Sequence, residues 1–410
     1  MKNYYLFFLT AVFSLYAINT HAQSENSKSK TMKKATPFKI EIPQTVLDDL
    51  QDRLAKTRWT DEPQNAGWNN GINPGFLREL VAYWQTKFDW RKQEAMLNQH
   101  PQFKVGIDGI NIHFVYVKGK GKNPKPLILT HGWPDCFYRY YKVILMLTDP
   151  ASCGGNPDES FDVIIPSMPG FGFSDHVGMN GDQVAALWQK LMKDVLGYDA
   201  YYAAGGDMST YVTKSLANQF PENVKGIYLT DIGYPTGMED QSSYSPAEKD
   251  FAQRAQRWWY MEGAYNMLQS TKPQTLGYGL NDSPTGLAAW ILEKFNSWSD
   301  NKGNIENSFT KDELLTDIMI YWTTQTINSS FQMYRATTIA AFTGKPKWNE
   351  YVKVPTGIGV FPGHVPFPEE WAKRQANVQH FTLMPKGGHF DAMEEPELYA
   401  KDITRFIYGL

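Results

Sequence analysis

The sequence predicts an α/β fold, in which a mostly parallel, twisted sheet carries helices on both faces. Short apolar runs typical of buried strands lie at 126–130, 161–166, 200–204 and 225–230. A segment of helical character follows the third run, at 211–220. Strands that alternate with helices favour parallel pairing, and 410 residues are enough for such a core together with a second subdomain.

The first 36 residues are predicted to precede the fold. Lys2, the apolar run at 4–18 and the small residues at 20–22 form the pattern of a cleavable signal peptide over 1–22. This pattern predicts an exported protein, periplasmic or extracellular, with an N-terminal membrane anchor as the alternative. The run is short for a span and no later stretch reaches about 18 apolar residues, so no stable membrane span is expected. The polar, lysine-rich segment 23–36 is interpreted as a linker.

Four further segments complete the predicted domain organisation. Helically spaced apolar residues at 46–54 and 76–84 predict a helical N-terminal extension, and alternating apolar residues at 110–116 predict an early strand of the sheet. Helical stripes interrupted by turn signals predict a cap inserted after a strand. The boundaries are 37–104 for the extension, 105–233 for the first part of the core, 234–350 for the helical cap and 351–410 for the second part of the core.

Charge and motif content disfavour several classes of function. The chain has 40 Lys and Arg against 43 Asp and Glu, and this net charge of −3 provides no basic face for nucleic acid. The sequence has no metal-ligand spacing, phosphate loop or dinucleotide fingerprint, so neither a metal nor a cofactor is expected. Cys136 and Cys153 form either a disulfide, if the compartment is oxidising, or two free thiols. The sequence does not decide whether the protein forms a homodimer.

The segment 204–210, Ala-Gly-Gly-Asp-Met-Ser-Thr, places Asp207 between a predicted strand and a predicted helix. This is the strand–turn–helix context of a nucleophile elbow, in which esterases carry serine. A carboxylate at that place attacks an sp³ carbon and forms an alkyl ester that water must then cleave. Asp207 therefore indicates the opening of an epoxide or an alkyl halide, although the string alone also fits an ordinary glycine turn with a solvated Asp.

Two further loops stand, in chain order, where a fold with a nucleophile elbow needs an oxyanion hole and a general base. The first of the strands listed above runs into His-Gly-Trp-Pro at 131–134. The backbone of this loop is the expected oxyanion hole, with the N–H groups of Trp133 and Met208 as its donors. Near the C-terminus, the apolar run 381–385 leads into a glycine loop that carries His389. His389 therefore follows the last strand, where the general base belongs.

Together these residues resemble the epoxide hydrolases of the α/β-hydrolase superfamily, in particular the microsomal and fungal type with an extra N-terminal domain. The resemblance covers 37–410 and implies the α/β-hydrolase fold and a small apolar epoxide as substrate. It also implies an aspartate nucleophile, a histidine that activates water, a carboxylate that orients the histidine and two cap tyrosines that donate to the epoxide oxygen. The segments that carry it are Pro37–Ile40 with Leu54–Trp59, 131–134, 205–207 and 387–390.

Two cap segments are similar to those that carry the ring-opening tyrosines of this family. They are 263–273, which contains Tyr265, and 327–335, which contains Tyr334. Opening an epoxide leaves an alkoxide, and a phenol is a suitable proton donor to it. The resemblance therefore gives this role to Tyr265 and Tyr334, although the chain has 23 tyrosines and either one also fits a packing role.

Three rival functions remain as alternatives. A haloalkane dehalogenase would use the same Asp207 and His389, but it needs side-chain N–H donors for the halide. The side chain of Met208 has none, and Trp133 has one. A silent binding protein with the hydrolase fold would not need the intact Asp and His. A serine hydrolase would need its nucleophile at the apex, from which Ser209 is displaced by two positions.

The acid that orients His389 is the point at which this sequence departs from the family. The microsomal type carries this acid in a Phe-Pro-x-acid context, and the matching segment 360–364 reads Val-Phe-Pro-Gly-His. An imidazole at position 364 cannot supply the fixed negative charge that holds the tautomer of the base. His364 is therefore predicted to contact substrate instead.

Asp231 is the predicted substitute for the missing acid. It stands at the end of the strand predicted at 225–230, where other α/β-hydrolases with an aspartate nucleophile place their relay acid, and the resemblance assigns it that role. The alternatives are a solvated or helix-capping Asp231, or a carboxylate from the neighbouring loop at Glu369 or Glu370.

Overall fold

A computed structural model describes residues 35–61, 66–235 and 240–410, so the predicted signal peptide 1–22 and nearly all of the linker lie outside the described residues. Within these ranges, nine strands form a single sheet. The strands are β1 (Thr36–Phe38), β2 (Gln102–Ile107), β3 (Ile110–Val117), β4 (Lys125–Thr130), β5 (Phe161–Pro166), β6 (Tyr201–Gly205), β7 (Val224–Leu229), β8 (Val352–Val360) and β9 (Ala376–Leu383).

The order of strands in the sheet is β1-β2-β3-β5-β4-β6-β7-β8-β9. The first three neighbouring pairs are antiparallel and the remaining five are parallel. A mostly parallel sheet needs both faces covered, which agrees with β5 being buried along its whole length. The α/β fold with a mostly parallel sheet, predicted from the apolar runs, is confirmed.

Helices cover the sheet, and the part of the chain that connects β7 to β8 forms a further layer of helices. The helices of the first part of the chain are α1 (Gln44–Ala55), α2 (Pro74–Thr86), α3 (Trp90–Leu97), α4 (Tyr141–Thr148), α5 (Gly181–Gln189) and α6 (Met208–Gln219). The layer between β7 and β8 contains α7 (Pro246–Glu262), α8 (Ala264–Thr271), α9 (Pro273–Asp282), α10 (Pro284–Trp298), α11 (Lys311–Thr324) and α12 (Ile327–Thr343). The last helices are α13 (Glu369–Lys373), α14 (Asp391–Glu394) and α15 (Pro396–Gly409).

The N-terminal segment is helical, as its apolar stripes predict, but it also contributes a strand. Leu50 and Leu54 of α1 and Leu80 and Trp84 of α2 are buried in the core. Ahead of them, β1 pairs antiparallel with β2 and extends the sheet at its edge. Three residues are too few to show the alternation by which a strand is recognised in sequence, which explains why this strand was not predicted.

The register of the parallel strands brings the loops that follow them to one edge of the sheet. Thr130 of β4 pairs with Gly205 of β6, and Gly205 pairs with Leu229 of β7. In the same way, Val360 of β8 pairs with Leu383 of β9. The carboxyl ends of parallel strands are where open α/β sheets place their ligand sites. The candidate residues after β4, β6, β7, β8 and β9 therefore meet at this edge.

Within the described ranges the structure shows the state of both cysteines. Both cysteines are free: Cys153 is exposed, and Cys136 is buried with its thiol 3.2 Å from Asp317 Oδ1. Of the two alternatives that the sequence leaves open, the structure has the free thiols.

Over the described part of the chain, no helix combines the length and apolar character that a membrane crossing requires.

Candidate active site

Asp207 lies at the turn between β6 and α6 in a strained backbone conformation, with φ 54° and ψ −135°. Its two preceding glycines have no room for a side chain. A Cβ on Gly205 would lie 2.4 Å from Ser209 Oγ, and one on Gly206 would lie 2.3 Å from Thr230 Oγ1. The Gly-Gly-Asp sequence is thus the local requirement of a sharp elbow, and strain of this kind is typical of functional sites.

One oxygen of Asp207 is held by a backbone donor. Trp133 N–H donates to Oδ1 at 2.9 Å, and the Met208 N–H lowers the pKa of the same carboxyl group. The approach of the loop is close, because a Cβ on Gly132 would lie 2.7 Å from Oδ1. The structure therefore places the predicted Trp133 donor at Oδ1, and the predicted Met208 donor acts on the pKa of the same carboxyl group. Such donors are what a developing oxyanion requires.

His389 lies on the loop between β9 and α14, on the other side of the carboxylate. Its backbone N–H donates to the Trp298 carbonyl at 2.8 Å, and the rings of His389 and Trp298 lie 5.0 Å apart between centroids. His389 Nε2 is 3.8 Å from Asp207 Oδ2, which is longer than a hydrogen bond. Within the described residues this nitrogen has no hydrogen-bond partner. His389 and Asp207 line the same two cavities.

Tyr265 of α8 and Tyr334 of α12 are buried above the carboxylate, with ring centroids 6.0 Å apart. The ring of Tyr265 stacks on Trp133 at 5.3 Å with an interplanar angle of 9°. Both tyrosines line a cavity of about 50 Å³ together with Asp207 and His389. Its remaining walls are mostly aromatic and are formed by Tyr211, Tyr234, Trp258, Trp259 and Trp298, among others.

Asp231 makes no direct hydrogen bond to the base within the described structure. Its Oδ1 accepts the Gly233 N–H at 2.9 Å, and the N–H groups of Gly233 and Ile232 lower the pKa of its carboxyl group. Asp231 and His389 both line a second cavity of about 20 Å³, together with His364. A cavity of this size is large enough for one water molecule.

His364 stands at the position where the resemblance described above predicts an acid. Its ring lies 4.7 Å from that of His389 between centroids, and its Nδ1 is 3.3 Å from the Tyr234 hydroxyl. The alternative acid Glu369 forms an ion pair with Lys373 at 2.7 Å on α13 and is 44 % exposed. Besides Asp207, two carboxylates share that cavity with His389, namely Asp231 and Asp391. Asp391 is paired with Arg139, and Glu369 is turned towards a lysine on its own helix.

The protonation of the central pair follows from burial. Burial raises the pKa of the Asp207 carboxyl to about 7, although the N–H groups of Met208 and Trp133 lower it. Burial lowers the pKa of His389 well below its usual value, and the neighbouring His364 and Arg139 lower it further. The imidazole is thus neutral at pH 7, which is the state a general base requires.

The other titratable groups of the site are also shifted by burial. The pKa of the Asp231 carboxyl is raised by burial. Burial raises the pKa values of Tyr265 and Tyr334 well above the usual value, and the charge of Asp207 adds to both shifts. Both phenols therefore keep their protons at neutral pH and are available as donors.

The sequence reasoning missed a buried ion-pair network next to this site. Arg139 contacts Asp135 and Asp391, and all three side chains are at most 2 % exposed. Two signals were available: Asp135 and Arg139 are four residues apart immediately after the oxyanion loop, and Asp391 follows His389 by two residues. Opposite charges beside two functional loops would have indicated a link between them.

Two family models match the chain. The model described as "Epoxide hydrolase N terminus" matches residues 35–140. The model described as "alpha/beta hydrolase fold" matches residues 125–327. The two matches together cover the helical extension, the elbow and most of the helical layer between β7 and β8.

Relatives and solved structures match over nearly their whole length. Epoxide hydrolase 1 of Sus scrofa is 38% identical over 400 residues, which span 90% of this chain and 88% of that protein. The structure of Aspergillus niger epoxide hydrolase aligns with a TM-score of 0.79 and 30% identity, over 92% of this chain and 96% of that one. The juvenile hormone epoxide hydrolase of Bombyx mori gives the same score and identity, over 92% and 94% of the two chains.

Proposed function

Since the chain belongs to the epoxide hydrolases of the α/β-hydrolase fold, we propose that it converts an epoxide to a vicinal diol through a covalent ester on Asp207. The observation that carries this proposal is the placement of the Asp207 carboxyl group. One oxygen accepts from Trp133 N–H at 2.9 Å, and the other faces His389 Nε2 at 3.8 Å. A cavity bounded by two tyrosines lies against the same carboxyl group.

The first step is the opening of the epoxide ring. Asp207 Oδ2 attacks one ring carbon, so that a carbon–oxygen ester bond forms as the ring carbon–oxygen bond breaks. The released oxygen receives a proton from Tyr265 or Tyr334, whose hydroxyls remain protonated at neutral pH because they are buried. The aromatic walls of the cavity suit a small apolar epoxide.

The second step is the hydrolysis of the ester. His389 removes a proton from water, which attacks the carboxyl carbon of Asp207, and the charge that develops on Oδ1 is stabilised by the N–H groups of Trp133 and Met208. Cleavage of the bond between that carbon and Oδ2 releases the diol, and the protonated His389 returns its proton to the leaving oxygen. Hydrolysis leaves Asp207 as a carboxylic acid, and transfer of its proton through solvent to the tyrosinate formed in the first step restores both groups.

Asp231 is the proposed relay acid, acting on His389 through one water molecule. The shared cavity of about 20 Å³ supports this assignment, since it has room for a bridge between the carboxylate and the imidazole. His364 lines both cavities and is proposed to contact the substrate.

The dehalogenase alternative is disfavoured by the relatives and by the donors around the cavity. The leaving group faces two phenols, which suit an alkoxide that needs a proton better than a halide that does not. The intact Asp207 and His389 also disfavour a silent binding protein. Ser209 is not a rival nucleophile, because its hydroxyl donates to the Gly206 carbonyl at 2.6 Å and is buried.

A single turnover in water enriched in heavy oxygen tests the proposal. With enzyme in excess over an aryl, terminal-alkyl or fatty-acid epoxide, the first diol should contain no label, and the label should appear on Asp207. Label in that first diol would mean direct attack by water and would overturn the covalent route. Haloalkanes tested in parallel serve as the comparison, and halide release without any diol formation would favour the dehalogenase.

Export and oligomeric state are further parts of the proposal. The signal-peptide pattern at 1–22 supports export to a periplasmic or extracellular space. N-terminal sequencing of the native protein should find Gln23 as the first residue, and an intact Met1 would contradict cleavage. A homodimer remains a prediction that sedimentation would decide.

A further inference from the structure

A fully buried guanidinium lies beneath the elbow and joins the two loops that surround it. Arg139 follows the oxyanion loop and is 2 % exposed. Its Nη1 donates to Asp135 Oδ2, and its Nη2 donates to the His389 carbonyl at 2.6 Å and to Asp391 Oδ2 at 2.8 Å. One side chain therefore contacts the oxyanion side and the base side of the site at the same time.

On the oxyanion side, the contact continues to the backbone that holds the donor. Asp135 Oδ1 accepts the Gly132 N–H at 2.9 Å, and the next residue, Trp133, donates to Asp207. The Tyr321 hydroxyl donates to the Asp135 carbonyl at 2.8 Å. The carboxylate of Asp135 thus fixes the turn that aims Trp133 N–H, and Arg139 fixes that carboxylate.

On the base side, the same guanidinium holds the loop of the histidine directly. It bonds the main chain of His389 itself and the carboxylate two residues later. Asp391 Oδ1 in turn accepts the Ala392 N–H at 2.7 Å, at the start of α14. The position of the imidazole along its loop is therefore tied to the same group as the oxyanion donor.

The location of Arg139 excludes a role in contact with substrate. A Cβ built on Gly206, in the floor of the elbow, would lie 3.9 Å from Arg139 Nη2. Arg139 is not among the residues that line either cavity of the site. A buried charge of this kind is tolerated only when it is paired and hydrogen-bonded, as it is here by two carboxylates and a carbonyl.

We propose that Arg139 is a positioning residue that couples the oxyanion loop to the loop of His389, so that both are aligned for hydrolysis of the Asp207 ester. This inference rests on the proposed two-step function. The ester step needs the Trp133 donor and the His389 base together, whereas the ring-opening step does not use the base. Loss of the coupling therefore slows hydrolysis of the ester far more than its formation.

Rapid-mixing measurements on Arg139→Met test this with a reactive epoxide. Alkylation, followed by the quench of the active-site tryptophans, should slow less than about 5-fold, while ester hydrolysis slows about 100-fold, the loss expected when a catalytic group is misplaced by about 1 Å. Alkyl-enzyme should therefore accumulate in the intact-protein mass spectrum. Arg139→Lys keeps the positive charge but lacks the planar guanidinium that bonds several partners at once, so it should recover part of the hydrolysis rate.

Asp391→Asn and Arg374→Met separate positioning from general stability. Asp391→Asn weakens only the base-side contact and should also slow hydrolysis selectively. Arg374 is the matched control, because its guanidinium bonds the buried Glu248 at 2.9 Å and the Ser243 carbonyl at 2.7 Å away from both loops. Arg374→Met should lower the melting temperature without changing the ratio of the two rate constants.

The outcomes that overturn the proposal are distinct from those that overturn the function. Arg139→Met leaves two buried carboxylates without their partner. If this variant fails to fold for that reason, the triple variant Arg139→Met, Asp135→Asn, Asp391→Asn is used in its place, because it also removes the two negative charges. Equal slowing of both steps, or of neither, in a folded variant would contradict the coupling. Failure of the unmodified enzyme to form any ester would instead contradict the proposed function.

Discussion

The two oxygens of the Asp207 carboxylate face different kinds of structure. Oδ1 faces the oxyanion side, where the donor is a backbone N–H at 2.9 Å. That backbone is held by Asp135 Oδ1, which accepts from the preceding residue, and by the buried Arg139. Every link on this side is a direct hydrogen bond or ion pair, so the donor is in place before any reaction begins.

Oδ2 faces the base side, where the contacts are longer. His389 Nε2 is 3.8 Å away, and the acid proposed to orient it shares a small cavity with it but makes no direct bond among the described residues. The difference teaches how one carboxyl group serves two steps. Stabilisation of an oxyanion requires fixed dipoles, whereas the opposite side must leave room first for an epoxide and then for water.

The largest expected effect comes from removing the base. In His389→Gln the oxyanion side and the nucleophile remain, so the ester should form at close to the normal rate, while turnover should fall by about 10⁴-fold or more. Mass spectrometry of the intact protein should then show a gain of one substrate. This variant removes the base and leaves the oxyanion side of the site unchanged.

A second histidine supplies the control for this change. His380 lies on β9 and its Nε2 is 2.9 Å from Asp402 Oδ1, outside both cavities of the site. His380→Gln should turn over normally and accumulate no ester. Normal turnover by His389→Gln would show that another group activates water.

Removing both tyrosines should have the next largest effect, and it should fall on the first step. Tyr265→Phe and Tyr334→Phe should each slow alkylation by about 10²-fold, and the double change should nearly stop it, because a positioned proton donor contributes about 10²–10⁴-fold. Stopped-flow measurement of ester formation gives these rates. Tyr201→Phe is the control, since its hydroxyl bonds Gln189 Oε1 at 2.5 Å away from the cavity. Alkylation at the normal rate in the double variant would remove the tyrosines from ring opening.

Asp231→Asn sharpens the comparison on the base side. The change should slow ester hydrolysis by about 10³-fold while alkylation changes little, because the tautomer and the protonated form of His389 lose their negative partner. Asp402→Asn is a matched control at a buried carboxylate that bonds Tyr228 and His380 instead. His364→Ala should leave the base working and alter substrate preference. Unchanged turnover by Asp231→Asn, or a collapse with Glu369→Gln, would reassign the acid.

The elements with a strong local signal were predictable from the sequence. β4, β5, β6 and β7 are buried apolar runs, and the structure places their ends within two residues of the predicted ones. Asp207 and the Trp133 donor were also predictable, because the elbow and the loop after β4 have strict local requirements for small residues and for a free backbone N–H. Local chemistry and chain order were sufficient for these residues.

Contacts between distant segments were not predictable in the same way. The bond from Arg139 to the His389 carbonyl joins residues 250 positions apart, and the cavity shared by Asp231 and His389 depends on the register of three parallel strands. β1 was missed because three residues give no periodicity. One sequence fixes which residues follow which strands, but not the distances of a few ångström that decide between a direct and a water-mediated contact.

The protonation of Asp207 should make the rate of alkylation depend on pH. Ring opening requires the carboxylate, and its pKa is raised to about 7. Alkylation should therefore fall about tenfold per pH unit below 7 and reach a plateau above about pH 8. The base does not contribute to this limb, because the pKa of His389 is lowered well below its usual value. Single-turnover rates between pH 5 and 9 measure it, and a flat profile would contradict a raised pKa.

The same shift predicts a smaller effect on stability. Between about pH 4 and 7 the folded state keeps a proton that an unfolded Asp, with a pKa of about 3.9, has already released. The folded state therefore binds more protons, and this group makes the protein less stable as pH rises through that interval. Asp207→Asn removes the penalty but keeps an oxygen for Trp133 N–H. Thermal unfolding should find the variant equal to the unmodified protein near pH 4 and more stable by about 1–3 kcal/mol at pH 8. The pH at which that difference stops increasing should coincide with the midpoint of alkylation, since both report the pKa of the folded carboxyl group. A stability difference independent of pH would show that the carboxylate is not the group that titrates.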